Sequence, residues 1–345
     1  MLFTKKYHWP ITITLIGSSF LLGCESTRFE VYKDENIQQE ESKEVLQALA
    51  SAANEFPDVN IDIDYLKAVV NQLTIEIGPR DLQYYQGLQQ AKSYVSDEFR
   101  QLGYRPELQQ YKVEGKTVAN VIASIGPMDA PRIIIGAHYD AYGSQPGADD
   151  NASGVAGMLE IAKLLKPYEK RLRKRVDFVA YTLEEHMPIN RKEMGSYIHA
   201  KSLRQANTIV EAMVSLEMIG YFSDQPNSQQ YPYEDMKQVY PTTANFVVVV
   251  SDVANSPIRG RFKTFMSEAD IRVRSLAAPS FVDGIDRSDH ASFWRFNYPG
   301  IMVTDTSFYR NPNYHKVGDN AASLDYERMA QVVRGAFYGT LNFAL

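Results

Sequence analysis

The side chains best suited to chemistry in this sequence are histidines and carboxylates that follow apolar runs. The candidates are His138, Asp150, Glu184, Glu185, Glu217 and His315. The apolar run 133–135 predicts a buried parallel strand that leads to His138, and Asp140 follows on the same side of an extended backbone. Histidine and carboxylates at the carboxyl ends of parallel strands face a common crevice, so this pattern predicts a metal site.

The donor set also indicates which metal would bind. Imidazole nitrogens and carboxylate oxygens suit Zn²⁺ or another first-row divalent ion, and the single cysteine, Cys24, lies near the start of the chain. An iron–sulfur cluster or a cysteine-bound structural zinc does not fit this set. Two ions about 3.5–4 Å apart that share one bridging carboxylate would use these donors economically. One acid of the Glu184-Glu185 pair would then be free to act as a general base.

A scaffold of alternating strands and helices is predicted from the hydrophobic pattern. Strands are predicted at Arg132–His138, Val176–Thr182, Thr208–Leu216, Phe246–Val250, Ile271–Ser275 and Pro299–Thr304, after a hairpin of edge strands, Tyr104–Val113 and Val118–Ile125. Helices are predicted from Asp64 and at Tyr84–Leu102, Val155–Leu165, Met194–Leu203, Pro257–Ala269 and Tyr326–Phe343. This alternation predicts an α/β fold, a three-layer sandwich with a mostly parallel, twisted central sheet.

Composition bounds the class of protein. The 345 residues are 44% hydrophobic and 12% aromatic, which suits one large domain with small additions. The formal net charge is −6 and no basic block occurs, which argues against nucleic acid as a partner. We expect a polar tether at residues 24–60 and a main domain at 61–345. Within that domain, a polar insertion at about 223–243 is interpreted as a solvated surface flap rather than a substrate lid.

The N-terminus has the features of an export signal. A basic pair, Lys5-Lys6, precedes an apolar run from Trp9 to Gly23 that is short for a membrane span. The run ends in the letters LLGC, which resemble the lipobox of bacterial lipoproteins. The resemblance implies a signal peptide at residues 1–23, a lipid on Cys24 and anchoring at the periplasmic face, with Glu25 favouring the outer membrane. An ordinary cleaved signal is the alternative, and neither case leaves cysteines for a disulfide.

Six motifs resemble one known family in their order and spacing. They are HYD at 138–140, GADDNASG at 147–154, EE at 184–185, LEMIGY at 216–221, SDH at 288–290 and NPNYH at 311–315. Together they resemble the di-zinc aminopeptidase family of metallopeptidase clan MH, which also contains glutamate carboxypeptidase and glutaminyl cyclase. The resemblance covers roughly Asp64 to the C-terminus. It implies a zinc-exopeptidase fold of phosphorylase/hydrolase-like type, with residues 61–345 as the catalytic domain and two Zn²⁺ as cofactors.

The resemblance also implies the metal ligands. His138 would bind one ion, and Asp150 would bridge both. Glu185 and Glu217 would each bind one of the ions, and His315 would complete the second site. Other first-row divalent metals could replace zinc with these ligands.

Further residues would support the reaction. Glu184 would be the general base that takes a proton from water, and Tyr314 would stabilise the oxyanion. Asp140 would orient His138 through the free ring nitrogen of that histidine. Asp289 and His290 would lie behind the ligands, with a substrate contact by His290 as the other interpretation.

Some residues depart from the family pattern or have a plainer interpretation. Glu217 stands where many family members carry Asp, which is shorter by one methylene. The loop after Glu185 is longer than expected, and its His186 and Arg191 are candidates to shape the substrate pocket. Asp149 is interpreted as bonding to backbone, and His199 as a packing or surface residue.

The function predicted from these features is a zinc-dependent aminopeptidase that acts on peptides. Two alternatives stay open: a glutaminyl cyclase with one zinc, and a binding lipoprotein that kept the fold and lost the chemistry. Cyclases tend to carry Trp before the last metal histidine, whereas this chain has Tyr314. A carboxypeptidase specific for acidic C-termini would need arginines to bind two carboxylates, and the sequence has no distinct cluster of arginines.

Overall fold

A computed structural model describes residues 56–186 and 190–345. Within these residues the strands are β1 (Glu107–Val113), β2 (Lys116–Ile125), β3 (Arg132–His138), β4 (Arg175–Tyr181), β5 (Val210–Glu217), β6 (Val247–Ser251), β7 (Val273–Ala277) and β8 (Gly300–Thr304). The helices of the same residues are α1 (Ile63–Asn71), α2 (Tyr85–Gln101), α3 (Gly154–Leu165), α4 (Gly195–Gln205), α5 (Ser256–Met266), α6 (His290–Trp294) and α7 (Tyr326–Ala344).

The described strands form one eight-stranded sheet in the order β1-β2-β4-β3-β5-β8-β6-β7. The pairings β3–β4, β3–β5, β5–β8 and β6–β7 are parallel, and the others are antiparallel. The predicted α/β class with a mostly parallel sheet is therefore confirmed. The prediction of two edge strands is wrong for β2, because its second half, from Val121 to Ile125, pairs with β4. Only β1 of that hairpin lies at the edge.

Two helical layers cover the sheet, which completes the predicted three-layer sandwich. Ile133 and Ile135 of β3 point to one face, where they join a large core with apolar residues of α1, α2, α3, α5 and α7. Ile134 points to the other face and joins a smaller core that contains Ala200 of α4 and Phe293 of α6. This alternation along β3 is the two-residue period of a strand that is buried on both faces.

Local signals account for the ends of several helices. The side chain of Asp62 accepts a hydrogen bond from the backbone N–H of Tyr65 and caps α1, and Asp325 caps α7 in the same way. Gly103 follows α2 with a φ of 83°, a conformation that glycine adopts without a steric cost. The predicted helix stop at Gly103 is therefore confirmed.

The N-terminal predictions lie outside the described residues. These are the signal peptide at 1–23, the lipid on Cys24 and the tether up to residue 55. Among the residues that the structure does describe, no helix combines the length and the hydropathy needed to cross a membrane.

Candidate metal centre

The sheet brings the predicted ligands to one edge. His138 is the last residue of β3, and Glu217 is the last residue of β5, which pairs with β3 in parallel. Glu184 and Glu185 follow β4, the neighbour of β3 on its other side. The remaining ligands come from loops: Asp150 lies just before α3, and His315 lies between β8 and α7.

Two groups of three side chains are poised to bind ions, and they share Asp150. In the first group, Nε2 of His138 lies 3.3 Å from Oδ1 of Asp150 and 3.4 Å from Oε2 of Glu217. In the second group, Nε2 of His315 lies 3.2 Å from Oδ2 of Asp150 and 3.2 Å from Oε2 of Glu185. Asp150 thus offers one carboxylate oxygen to each group, as a bridging ligand would.

These separations fit ligands of a common ion. Two ligand atoms that each lie 2.0–2.1 Å from a tetrahedral zinc are about 3.3–3.4 Å apart. In addition, Nε2 of His138 and Nε2 of His315 are buried without a hydrogen-bond partner among the described residues. Buried polar atoms are rarely left unsatisfied, so both nitrogens are consistent with metal ligands. The residues present therefore fit divalent cations.

The charges of the site also favour cations. Burial and the nearby carboxylate of Asp150 raise the pKa of Glu185 to about 8, and burial also raises the pKa of Glu217. Burial alone would lower the pKa of His138, but Glu217 and other carboxylates hold that pKa well above its usual range. The protein itself therefore supplies too little positive charge, and bound divalent ions would stabilise the ionised carboxylates and the neutral imidazoles.

Glu184 belongs to neither ligand group. Its Oε2 lies 4.0 Å from Nε2 of His138, and the side chain is buried beside the site. Burial, with the neighbouring carboxylates of Glu217 and Glu185, holds the pKa of Glu184 well above its usual range. Divalent ions bound beside it would oppose that shift and favour the ionised form, which a general base needs.

Asp140 supports His138 of the first ligand group and also the backbone of Glu184 and Glu185. Nδ1 of His138, on the side of the ring away from the site, donates to the backbone carbonyl of Asp140 (3.2 Å), and Oδ1 of Asp140 lies 3.4 Å from the same nitrogen. The two carboxylate oxygens of Asp140 also accept hydrogen bonds from the backbone N–H groups of Glu184 (3.2 Å) and Glu185 (3.1 Å). The sequence predicted the contact with His138 but not the clamp on the two glutamates. Leu183, just before them, has a φ of 58°, so this turn is held in a strained conformation.

Asp319 and Asn151 position Asp150, the acid common to both groups, and sequence reasoning missed both contacts. Asp319 accepts hydrogen bonds from the backbone N–H groups of Asp149 (2.8 Å) and Asp150 (3.2 Å). The amide of Asn151 donates to the carbonyl of Leu216 (2.8 Å) and accepts from the N–H of Met218 (3.0 Å), on either side of Glu217. The position of Asn151 beside Asp150 was an available signal, whereas Asp319 has none.

Arg80 is a further residue that sequence reasoning missed. It is fully buried and donates hydrogen bonds to the carbonyls of Tyr139 (2.9 Å), Pro146 (2.5 Å) and Gly147 (2.7 Å). These carbonyls belong to the loop between His138 and Asp150, so Arg80 fixes the spacing between a ligand of one group and the shared ligand. Burial lowers the pKa of Arg80 to about 10, and the carboxylate of Asp140 opposes that shift.

His315 is held between two tyrosine rings. Tyr142 stacks on it with ring centroids 4.1 Å apart, and Tyr314 stacks with centroids 3.7 Å apart. Burial, followed by the carboxylate of Asp150, holds the pKa of Tyr314 above its usual range, so its hydroxyl keeps a proton that it can donate. The predicted role of Tyr314 at an oxyanion is compatible with this position.

Glu217 in the first ligand group is oriented by a hydrogen bond. The hydroxyl of Ser288 donates to its Oε2 (2.8 Å).

Asp289 and His290 lie behind the ligands rather than among them. Nε2 of His290 donates to the carbonyl of Ile285 (2.8 Å), and its ring packs edge-on against Trp294. These contacts favour the interpretation of His290 as structural support. Asp289 is fully buried, and burial raises its pKa to about 7.

Two of the remaining predictions are confirmed by contacts. Asp149 bonds to backbone as expected, since its Oδ1 accepts from the N–H of Gly220 (3.0 Å) and its Oδ2 accepts from Asn311 (2.8 Å). His199 is a packing residue, buried 3.1 Å from the hydroxyl of Tyr181 and edge-on to Phe293.

The prediction that His186 and Arg191 shape the pocket is not supported. Nε2 of His186 lies 2.9 Å from the carboxylate of Glu193, within the same loop. Arg191 forms a 2.9 Å ion pair with Asp286. His186 thus stabilises the loop after Glu185 internally, and Arg191 ties this loop to the segment that contains Asp286.

A cavity that is open to solvent extends from the ligand cluster. Asp150, Glu184, Glu185, Glu217 and His315 line one end of it. Six residues of the insertion line another part: Gln229, Gln230, Tyr231, Pro232, Met236 and Tyr240. Of these, Gln229 and Met236 are buried. The interpretation of the insertion as a solvated flap is therefore wrong for Gln229 and Met236, whereas Gln230 and the stretch 233–235 are exposed as that interpretation expects.

Comparisons with known proteins show which sequences this chain resembles. Peptidase family M28 matches residues 120–339. The chain is 41% identical over 281 residues to the uncharacterized protein YfbL of Escherichia coli, a match that covers 79% of this chain and 85% of that protein. It is 26% identical over 227 residues to leucine aminopeptidase 1 of Ajellomyces capsulatus, a match that covers 61% of this chain and 52% of the relative. The chain thus spans about half the length of that aminopeptidase.

Solved structures share the fold. The LapA aminopeptidase of Legionella pneumophila matches with a TM-score of 0.66 at 21% identity, over 89% of this chain and 76% of that one. The zinc aminopeptidase BSAP of Bacillus subtilis matches with a TM-score of 0.64 at 14% identity, over 82% of this chain and 96% of that one. Glutaminyl cyclase of Fimbriiglobus ruber matches with a TM-score of 0.61 at 20% identity, over 84% of this chain and 97% of that one. At these identities the likeness establishes the fold alone, and the predicted zinc-exopeptidase fold is confirmed.

Proposed function

This chain belongs to peptidase family M28, and from that premise we propose that it is a zinc-dependent aminopeptidase with two metal sites. The observation that carries the proposal is the pair of ligand groups that share Asp150. His138 and Glu217 would complete one site, and Glu185 and His315 would complete the other. The aminopeptidases among the relatives and the solved structures support the choice of reaction.

The residues around the site have distinct roles in this proposal. Divalent ions held there would act as Lewis acids toward the scissile carbonyl and would lower the pKa of a water. Glu184 accepts the proton of the attacking water and returns it to the leaving amine. The hydroxyl of Tyr314 donates a hydrogen bond to the carbonyl oxygen as negative charge develops on it. Asp140 holds the backbone of Glu184 in place, and Asp319 holds the backbone of Asp150.

The direct test is turnover of aminoacyl-arylamides by the purified protein, with metal content measured on the same sample. We expect two ions per chain, hydrolysis of at least one arylamide, and a loss of at least about 10²-fold in rate after chelation that added Zn²⁺ reverses. One ion per chain together with cyclisation of N-terminal glutamine would favour the cyclase instead. Turnover that is insensitive to the chelator, or no turnover on any arylamide, would contradict the proposal.

We further propose that the protein is exported and anchored by a lipid on Cys24, at the periplasmic face of a bacterial membrane and with the outer membrane favoured. The support is the LLGC sequence after a short apolar run with a basic start. Replacing Cys24 with Ser removes the lipidated sulfur, so we expect radiolabelled palmitate to be lost and the apolar run before residue 24 to stay uncleaved. Ser26→Ala, two residues away, is the control that should keep the label. A Cys24→Ser protein that still carries palmitate, or a wild-type protein without it, would overturn the anchor.

A further inference from the structure

The edge of the sheet opposite the metal centre is formed by the loops that lead into β3, β4 and β5. We call it the basal edge, and its loops are 126–131, 172–174 and 206–209. These loops lie side by side, because the N–H of Arg132 donates to the carbonyl of Ile209 (2.9 Å) and the N–H of Arg175 donates to the carbonyl of Pro131 (3.1 Å). The three strands are parallel and carry metal ligands at or just after their carboxyl ends, so the basal edge points away from the metal centre.

A run of basic side chains enters the basal edge. Residues 170–175 have the sequence KRLRKR, so the prediction of a chain without a basic block is wrong at this position. The side chains of Lys170, Arg171 and Arg173 are exposed. The backbone of the run is held from behind, because the N–H of Arg173 donates to the carbonyl of Ala344 at the end of α7 (2.8 Å). The exposed charges therefore stand on a fixed part of the fold.

The acidic side chains near this run are engaged with other basic residues. Three ion pairs occupy them: Asp177 with Arg175, Glu211 with Lys174, and Glu169 with Lys166. The three exposed side chains of the run belong to none of these pairs. The only acidic residue in the three basal loops is Asp129. This end of the basal edge is therefore positively charged, and basic side chains of this kind are attracted to an anionic lipid surface.

Two large apolar side chains are exposed beside the basic run. Met128, in the loop before β3, is 54% exposed, and Ile209, directly before β5, is 63% exposed. Water gains nothing from these side chains, whereas the boundary between headgroups and acyl chains accepts apolar and basic side chains together. The basal edge therefore has the composition of a surface that binds an anionic membrane.

The described part of the chain begins close to this edge. The ring of Phe56 packs against that of Tyr338, with centroids 5.2 Å apart. Tyr338 precedes Ala344 by six residues of α7, which is about 9 Å along the helix. Because Ala344 contacts the basic run, a tether from a lipid on Cys24 would enter the domain beside the basal edge.

We propose that the basal edge faces the membrane, binds the anionic headgroups of its phospholipids and thereby holds the metal centre away from the bilayer. The proposal rests on the proposed lipid anchor, which brings the domain to the membrane, and it adds the orientation of the domain there. The seven residues of β3 span about 20 Å between the two edges of the sheet. The cavity at the metal centre then stays open to peptides in the aqueous phase.

Labelling of the full-length lipidated protein in vesicles tests this orientation. Ile209→Cys introduces one free thiol for an environment-sensitive fluorophore, since the other sulfur, that of Cys24, would carry the lipid. The vesicles contain phosphatidylcholine and phosphatidylglycerol at about 3:1, with a nitroxide near the headgroups. We expect the nitroxide to quench the label at position 209 by at least about 2-fold, because that side chain reaches the interface. Met128→Cys gives a second label and covers the case in which Ile209→Cys does not fold.

Val317→Cys is the matched control, because Val317 is 78% exposed but lies two residues after His315, at the metal centre. Its label should be quenched by less than about 1.2-fold. The double substitution Lys170→Glu and Arg173→Glu, made in the Ile209→Cys protein, should reduce quenching to the level of this control. Both side chains are exposed, so the melting temperature should change by less than about 2 °C. Vesicles of phosphatidylcholine alone should reduce the quenching in the same way.

The outcomes separate the orientation from the anchor. Equal quenching of the labels at positions 209 and 317 in protein that floats with the vesicles would overturn the orientation and leave the anchor intact. Quenching at position 209 that persists in the double variant and without phosphatidylglycerol would overturn the recognition of anionic headgroups. Wild-type protein that does not float with the vesicles would instead contradict the lipid anchor, and the inference would fall with it.

Discussion

Replacing Glu184 with Gln is expected to lower kcat by at least about 10²-fold while both ions stay bound. Glu184 lies outside the two ligand groups, with its Oε2 4.0 Å from Nε2 of His138. The amide keeps the size of the side chain but cannot take a proton from water. Because Asp140 holds residue 184 through its backbone N–H, the substitution should leave the turn in place. Steady-state kinetics and metal analysis of the same preparation measure both halves of this expectation.

Glu185→Gln is the matched control, since it makes the same chemical change one residue away. Glu185 is anchored to Asp140 in the same manner, but its Oε2 faces Nε2 of His315 within the second ligand group. This variant should lose metal, and added Zn²⁺ should restore part of its activity. If Glu184→Gln also loses metal, Glu184 is a ligand. If it keeps both ions and the wild-type kcat, another group is the base.

The scaffold of the site could be predicted from the sequence because its strands are buried on both faces. Such strands appear as short apolar runs, and a parallel strand of this kind presents its carboxyl end to the crevice. The predicted run Arg132–His138 coincides with β3, and Glu217 closes β5 one residue after the predicted end. The spatial convergence of these strand ends follows from the sheet order, and the pairing of each ligand with an ion came from the family resemblance.

The residues that hold the ligands could not be predicted, because they act on backbone atoms. Asp319 meets the N–H of Asp150 across 169 residues of sequence, and Arg80 meets the carbonyl of Gly147 across 67. A hydrogen bond to a carbonyl or an N–H group places no demand on the identity of the residue it reaches. No motif spacing therefore records such contacts, and they appear only when the fold brings the segments together.

The burial of residues in the insertion could not be predicted for a different reason. Its many polar and aromatic residues suggested exposure, and periodicity gave no strand or long helix to contradict that. The structure buries Met236 and Gln229 because the apolar face of β6 and β8 needs a cover. Which face of the sheet lacks a helix depends on the whole topology, so a local window could not reveal it.

We expect Asp150→Asn to reduce the number of bound ions, which Glu184→Gln should leave unchanged. Asp150 is the one residue common to both ligand groups, with Oδ1 facing His138 and Oδ2 facing His315. Burial alone would raise its pKa, but the two imidazoles outweigh that and hold the pKa of Asp150 below its usual range, so it is the anionic centre of the cluster. Asn keeps the size, removes the charge and leaves one acceptor oxygen for two sites. We expect at most one ion per chain and a loss of activity of at least about 10³-fold.

Asp149→Asn separates this effect from the general cost of altering a buried acid. Asp149 is as buried as its neighbour, but its oxygens bind the N–H of Gly220 and the amide of Asn311 rather than an ion. Burial and the carboxylate of Asp305 hold the pKa of Asp149 well above its usual range, so a neutral side chain is close to its natural state. This variant should keep both ions and lose less than about 10-fold in kcat/KM. Equal loss of metal in the two variants, measured after dialysis against metal-free buffer, would mean that loop distortion rather than a shared ligand explains the effect of Asp150→Asn.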